Sequence, residues 1–165
     1  IGAPGEPPVS GLVCRRFGAI EPVFAVAAGH PLTRLTQPIA IEALQEYPTV
    51  IVADSSRSLP GHSSGLLDGR SQIIVKTTAQ KIEVQRKGLG VGYLPRHRIH
   101  RQLEEGSLVM LSLETQRAPV DLSLAWRSGR QGKALKWFLE RLAAPGMGET
   151  FGLLPREATT DLRGD

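Results

Sequence analysis

The fold is decided by the stretch Lys87-Gly88-Leu89-Gly90-Val91-Gly92-Tyr93-Leu94-Pro95. An amphipathic segment leads into it, and a short apolar run follows Gly90. Glycine adopts backbone conformations that other residues avoid, so Gly90 and Gly92 allow a tight exit from a helix into a buried strand. The stretch therefore predicts a helix over residues 79–87 and a strand over residues 91–94.

Segments on both sides of this stretch alternate between strand and helix patterns. Strands are predicted at residues 20–27, 49–53, 72–76, 108–113 and 121–126, and helices at residues 41–46, 96–105 and 130–142. Residues 1–18 are rich in Gly and Pro and predict a loop, whereas residues 144–165 lack periodicity and predict a flexible tail. Buried β-branched runs that alternate with helices favour an α/β fold with a largely parallel sheet.

The composition limits the classes of protein that need to be considered. The chain has 165 residues, of which 41% are apolar, enough for one domain of ordinary size. Because Cys14 is the single cysteine, a disulfide framework or a thiolate metal site within one chain is excluded. No apolar stretch approaches the ~20 residues of a membrane span, so no membrane contact is predicted.

Two glycine motifs resemble catalytic or cofactor signatures but occur in the wrong context. Gly61-His62-Ser63-Ser64-Gly65 fits the G-x-S-x-G pattern of hydrolases, which needs a strand directly before the serine and a helix after it. A polar loop precedes this motif, so we expect a surface loop and no enzyme. The glycines of residues 88–92 follow a helix and precede a strand, the reverse of a dinucleotide fingerprint, so no cofactor is predicted.

Two polar loops that follow predicted strands are the candidate ligand-binding positions. Thr77 and Thr78 begin the helix of residues 79–87, whose free N–H groups suit a carboxylate or another small anion. Ser55, Ser56 and Arg57 follow the strand of residues 49–53 and could complete a polar cleft, since ligands bind beyond the carboxyl ends of parallel strands. Turn chemistry is the alternative for both loops, and Thr77 with Gln80 fits a capping box.

An ordered series of short motifs resembles the effector-binding domain of LysR-type transcriptional regulators over residues 1–143. In chain order the motifs are Ile1-Gly2, His30-Pro31-Leu32, Tyr47-Pro48, Gly88-Leu89-Gly90, Leu94-Pro95, Leu103-Glu104-Glu105-Gly106-Ser107-Leu108, Ala125-Trp126-Arg127 and Lys133-Ala134-Leu135-Lys136-Trp137-Phe138. No single motif is specific, but their order is typical of the family.

The resemblance implies a fold like that of the type-2 periplasmic binding proteins, with two α/β subdomains joined by crossing strands. On this interpretation residues 28–113 form the second subdomain. Residues 1–27 and 114–143 supply only part of the first, and residues 144–165 form the tail. Exposed apolar surface is expected on an incomplete first subdomain.

The resemblance also implies a function. A small, anionic effector would bind between the subdomains and modulate DNA binding by an N-terminal winged helix-turn-helix that lies outside this chain. The protein would be cytoplasmic and form a homodimer or homotetramer. The alternative is a stand-alone solute-binding protein of the same fold.

Overall fold

The computed structural model describes residues 11–53, 71–129 and 132–154. The chain divides into two compact units: residues 1–21 with residues 118–165 form unit one, and residues 22–117 form unit two. The sequence predicted boundaries near residues 27 and 114 instead. The strand of residues 22–27 belongs to unit two because both of its pairing partners lie there.

Unit one is built on a long antiparallel pair of strands. Strand β1 (Leu12–Ile20) pairs with β7 (Val120–Arg127) along its whole length, with an irregularity between Arg16 and Gly18. Arg16 also forms an ion pair of 2.6 Å with Asp121 on the partner strand. Among its described residues, this unit has the helices α3 (Lys133–Ala143) and α4 (Met147–Thr150).

The two ends of unit one correct two predictions. Residues 12–18 form most of β1 rather than a loop, because pairing with β7 supplies backbone partners that the local sequence does not reveal. Residues 144–154 do not form a free tail, since Leu153 is buried with Phe17 and Leu124. Leu154 also exchanges two backbone hydrogen bonds with Ala19, of 2.8 and 3.4 Å.

The described part of unit two contains a three-stranded and a two-stranded sheet. The first has the order β5 (Gly92–Pro95), β2 (Pro22–Ala27), β6 (Leu108–Met110). The second joins β3 (Thr49–Val52) to β4 (Gln72–Val75). A parallel bridge connects Thr49 of β3 to Val91, directly before β5.

The prediction of a largely parallel sheet is wrong for most of the described strands. Strand β2 runs antiparallel to both β5 and β6, and β1 runs antiparallel to β7, so β3 with β4 is the parallel pair of strands in the described part. Alternation of strands and helices along a chain does not determine which distant strands pair. The pairing of Phe24 with Tyr93 is one such distant contact.

The helices of unit two lie close to their predicted positions. Helix α1 (Thr78–Arg86) agrees with the predicted helix, whereas residues 41–46 form a 3₁₀ helix. The predicted helix of residues 96–105 is divided into a 3₁₀ turn (Arg96–Arg98) and α2 (His100–Glu104). The division falls at Ile99, a fully buried residue whose φ of −123° is not helical.

The glycine stretch forms the exit from α1 as predicted, although the residue that ends the helix is Gly88 and not Gly90 or Gly92. Gly88 has a φ of +70° and ends α1, as a C-terminal glycine commonly does. Leu94 and Val91 are fully buried, so the run that follows the glycines lies in the core of unit two.

Candidate functional site

The site begins where β3 and β4 end at the same edge of their sheet. The register joins Val52 to Val75, and the N–H of Ala53 donates to the carbonyl oxygen of Val75 at 2.8 Å. The loops after both strands therefore start next to each other. The predicted contacts Ser55, Ser56 and Arg57, and the hydrolase-like serine Ser63, lie outside the described residues.

The loop after β4 caps helix α1. Thr77 has extended backbone angles, φ −139° and ψ 156°, and its Oγ1 accepts from the N–H of Gln80 at 3.2 Å. The Gln80 side chain accepts in return from the N–H of Lys76 at 2.9 Å, one residue earlier than in a capping box. The cap is therefore confirmed, with its reciprocal bond displaced by one residue.

The first turn of α1 keeps polar groups available to a ligand. Helical N–H groups at this end have no acceptor within the helix, and they carry a partial positive charge. The Thr77 side chain is occupied by the cap, whereas the half-buried Thr78 makes no side-chain hydrogen bond among the described residues. Of the two predicted threonines, Thr78 is the one whose hydroxyl is available.

Two further polar residues lie on the face of α1 that begins at Thr77. Lys81 and Gln85 follow Thr77 at intervals of four residues, so the three side chains lie above one another on the helix. A Cβ added at Gly92 would lie 3.1 Å from Nε2 of Gln85 and 3.4 Å from Nζ of Lys81. Both head groups, together with the Val50 carbonyl oxygen at 3.4 Å, therefore fill the position that a side chain at residue 92 would take.

The Lys81 ammonium group lies in a partly buried environment that disfavours its charge. Burial, together with the nearby Arg117 guanidinium, lowers the pKa of Lys81 to about 8. Arg117 is itself held against Tyr93, with its Cζ 4.7 Å from the centre of the tyrosine ring. The Tyr93 hydroxyl donates to the carbonyl oxygen of Thr115 at 3.0 Å, and burial raises the pKa of that hydroxyl against the opposing effect of Arg117.

The sequence did not predict Lys81, Gln85 or Arg117 as site residues. The available signal was the polar spacing of Thr77, Lys81 and Gln85 on one helix face, which is also the face that carries the buried positions Gln85 and Ile82. Arg117 had no signal, because its contact with Tyr93 joins two segments that are remote in the sequence.

The outer face of α1 forms a second, apolar surface with β4. A groove of about 660 Å³ is lined by Ile74, Val75, Ala79 and Val84 together with polar side chains at its rim. Lys81 and Gln85 are not among its lining residues, so this groove is separate from the position beside Gly92 that those two side chains fill.

The described residues contain no group of three His, Cys, Asp or Glu side chains that could hold a metal ion. Among them, no helix combines the length and the apolar character that crossing a membrane requires.

Comparison with known proteins identifies the family. The model of the LysR substrate binding domain matches residues 2–145. The uncharacterized HTH-type transcriptional regulator YeeY of Escherichia coli K12 is 33% identical over 145 residues, which cover 87% of this chain and 47% of YeeY. The HTH-type transcriptional activator AllS of Salmonella paratyphi A is 31% identical over 137 residues, 82% of this chain and 44% of AllS.

A solved structure agrees with the fold. The regulatory domain of MetR, a LysR family regulator from N. meningitidis, superposes with a TM-score of 0.66 at 18% identity, covering 93% of this chain and 73% of that domain. The α/β fold predicted from the motif order is thereby confirmed. The chain spans a little under half the length of YeeY and AllS, and within that span it belongs to the LysR substrate binding domain family.

Proposed function

We propose that this chain is the effector-binding part of a bacterial transcriptional regulator, in which a small anionic molecule modulates DNA binding by a separate winged helix-turn-helix. The observation that carries the proposal is the match of residues 2–145 to the LysR substrate binding domain. YeeY and AllS, the relatives described above, are HTH-type regulators, which supports a DNA-binding partner domain in the longer protein.

The proposed effector site is the edge where β3 and β4 end. Thr78 offers a free hydroxyl, and the first turn of α1 offers N–H groups that suit a carboxylate. Thr77 holds this turn in place through its bond to Gln80. The proposal keeps Ser55, Ser56 and Arg57 as contacts, because their loop starts beside the Thr77 loop.

The named relatives favour a regulator over the alternative, a stand-alone solute-binding protein, because they are described as transcriptional regulators. The domain would bind its ligand without transforming it, so the proposal includes no catalytic residue and no cofactor. We also propose that the protein is cytoplasmic, because the chromosome is in the cytoplasm. We propose further that it assembles into a homodimer or homotetramer.

The test measures DNA binding by the full-length gene product. Fluorescence anisotropy would record its affinity for the DNA upstream of its own and neighbouring genes, with and without a panel of small carboxylates. We expect DNA binding at moderate salt, and at least one carboxylate that changes the affinity. A gene product that does not bind DNA, or whose DNA affinity no small molecule changes, would contradict the proposal.

A matched pair of variants tests the site. Thr78→Val removes one hydroxyl at the start of α1, whereas Thr36→Val makes the same change at an exposed position of unit two. We expect Thr78→Val to weaken the effector response about tenfold, as the loss of a hydrogen bond to a charged group does, and Thr36→Val to leave it unchanged. Equal effector responses in both variants would show that Thr78 is not part of the effector site.

A further inference from the structure

The chain passes between the two units twice, and the two crossings differ in how their backbone is held. The first crossing is Glu21, which lies between the end of β1 at Ile20 and the start of β2 at Pro22. The second crossing runs over residues 115–119, directly before β7 begins. Among the described residues, residues 115–119 form no backbone–backbone hydrogen bond. A longer segment without such bonds keeps more conformational freedom than a single residue between two strands.

Two contacts of one side chain hold the start of the second crossing on unit two. The Tyr93 hydroxyl donates to the carbonyl oxygen of Thr115 at 3.0 Å, and Cζ of Arg117 lies 4.7 Å from the centre of the Tyr93 ring. Tyr93 is itself supported by the core, because its ring packs edge-on against the buried Phe24 with 5.5 Å between the ring centres. The two contacts form what we call the Tyr93 anchor. The anchor ends at Arg117, and the boundary of unit two falls directly after that residue.

The residues that follow the Tyr93 anchor are restricted by the chain itself. Pro119 has a fixed φ, and a residue before proline is kept out of helical angles, so Ala118 is restricted as well. The first crossing has the same arrangement, since Pro22 follows Glu21 directly. With the Tyr93 anchor in place, each crossing is therefore reduced to a short link that contains or meets a proline.

We propose that the Tyr93 anchor is a conformational device that confines the freedom of the second crossing to residues 118–119. When the anchor opens, the free segment grows to residues 115–119, and the connection between the two units becomes less stiff. The anchor consists of one exposed hydrogen bond and one cation–π contact, so it can open while the core of unit two stays folded. This inference goes beyond the proposed function, because it concerns the connection within the domain and holds for any ligand.

Limited digestion with trypsin tests the anchor, because trypsin cleaves after arginine and needs both the Arg117 side chain and the backbone around it to be free. The full-length protein would be digested briefly under native conditions, and mass spectrometry would quantify the fragments that end at Arg117. Tyr93→Phe keeps the ring and removes the hydroxyl. We expect it to be cleaved after Arg117 about fivefold faster than the parent protein, as the loss of one ordinary hydrogen bond predicts. Tyr93→Leu, which also removes the ring beside Arg117, should be cleaved faster still.

Tyr47→Phe is the matched control. It also removes a tyrosine hydroxyl from unit two, but the Tyr47 ring packs on His30 rather than on the second crossing. Its rate of cleavage after Arg117 should equal that of the parent protein. In Tyr93→Phe, cleavage at all sites other than Arg117 should keep the parental rate, because only the second crossing is released.

Hydrogen exchange provides a second measurement that needs no protease. The backbone N–H groups of residues 116–118 should exchange faster in Tyr93→Phe than in Tyr47→Phe. Equal cleavage after Arg117 in Tyr93→Phe and the parent protein, or none in any variant, would overturn the inference, since another contact would then protect this bond. Faster cleavage at all sites together would also overturn it, because Tyr93 would then only stabilise unit two as a whole. Tyr93→Phe decides the test if Tyr93→Leu does not fold.

Discussion

The carbonyl oxygen of Pro48 lies 2.7 Å from the position that a Cβ at Gly90 would take, and Cγ2 of Val50 lies 2.8 Å from it. Both atoms belong to the chain that enters and forms β3, and Val91 on the other side donates its N–H to the same Pro48 oxygen at 2.9 Å. The glycine is therefore required by the close approach of two backbones rather than by its own dihedral angles.

Replacing Gly90 with alanine is expected to lower the free energy of unfolding by about 2–4 kcal/mol, because backbone atoms rather than a flexible side chain would have to move. Chemical denaturation of the two proteins would measure the difference. Gly29→Ala is the control, since a Cβ at Gly29 meets no atom within 4 Å. A Gly90→Ala protein as stable as the control would show that β3 and β5 can separate freely.

Thr77 is expected to stabilise α1 through its cap. Thr77→Ala should lower the free energy of unfolding by about 1 kcal/mol, whereas Thr77→Ser, which keeps the oxygen that accepts from Gln80, should lower it by less than half as much. Denaturant titrations of both variants would measure which one has the larger loss in free energy of unfolding. Equal losses would mean that the methyl group of Thr77, and not its hydroxyl, supports the helix.

His30 is expected to make unit two less stable in acid. Its Nδ1 accepts from the N–H of Leu32 at 3.3 Å, its ring lies 4.5 Å from that of Tyr47, and burial lowers its pKa below 6.5. Since the folded pKa is lowered, the contribution of neutral His30 is fully present above pH 6.5 and is lost as the pH falls through the folded pKa.

The measurement compares unfolding free energies at pH 7.5 and pH 5 for the parent protein and His30→Gln. Burial also lowers the pKa of His97, so both proteins should lose some stability in acid. The loss should be larger in the parent protein than in His30→Gln. An identical loss in both would remove His30 as a source of the pH dependence.

Lys81 is expected to make the stability of the protein depend on pH in the alkaline range. Its pKa, lowered to about 8 by burial and by Arg117, lies below the 10.5 of the unfolded chain, so the folded state loses its proton first. The unfavourable charge is fully present below pH 8, and stability should increase between pH 8 and 10.5, by up to about 1 kcal/mol per pH unit after allowance for solvent screening. This increase in stability at alkaline pH should be absent in Lys81→Met and present in Lys87→Met.

Features carried by local sequence were predictable. The cap at Thr77, the glycine that ends α1 and the strands before and after α1 all follow from neighbouring residues, and the structure agrees with them. Strand β1 was not predictable, because Arg15 and Arg16 interrupt its apolar pattern and pairing with β7 compensates for them. Tertiary pairing overrode local preference there.

The residues of the candidate site also differ in whether the sequence predicts them. Thr77 and Thr78 were found because a strand and a helix meet there in the sequence. The contacts of Lys81 and Gln85 beside Gly92 form only when β5 packs against α1, and the contact of Arg117 forms only when it packs on Tyr93. These contacts join segments that are remote in the sequence, and a pattern within one sequence does not reveal which remote segments lie close together.

The packing of Leu153 and Leu154 on β1 sets a limit on how far the protein can be shortened. The family match ends at residue 145, which makes that residue an obvious place to truncate an expressed domain. A chain cut there would lose Leu153 from beside Phe17 and the backbone bonds between Leu154 and Ala19, exposing apolar area worth about 2 kcal/mol for the leucine alone. The C-terminal boundary for crystallisation or binding studies should therefore lie beyond Leu154.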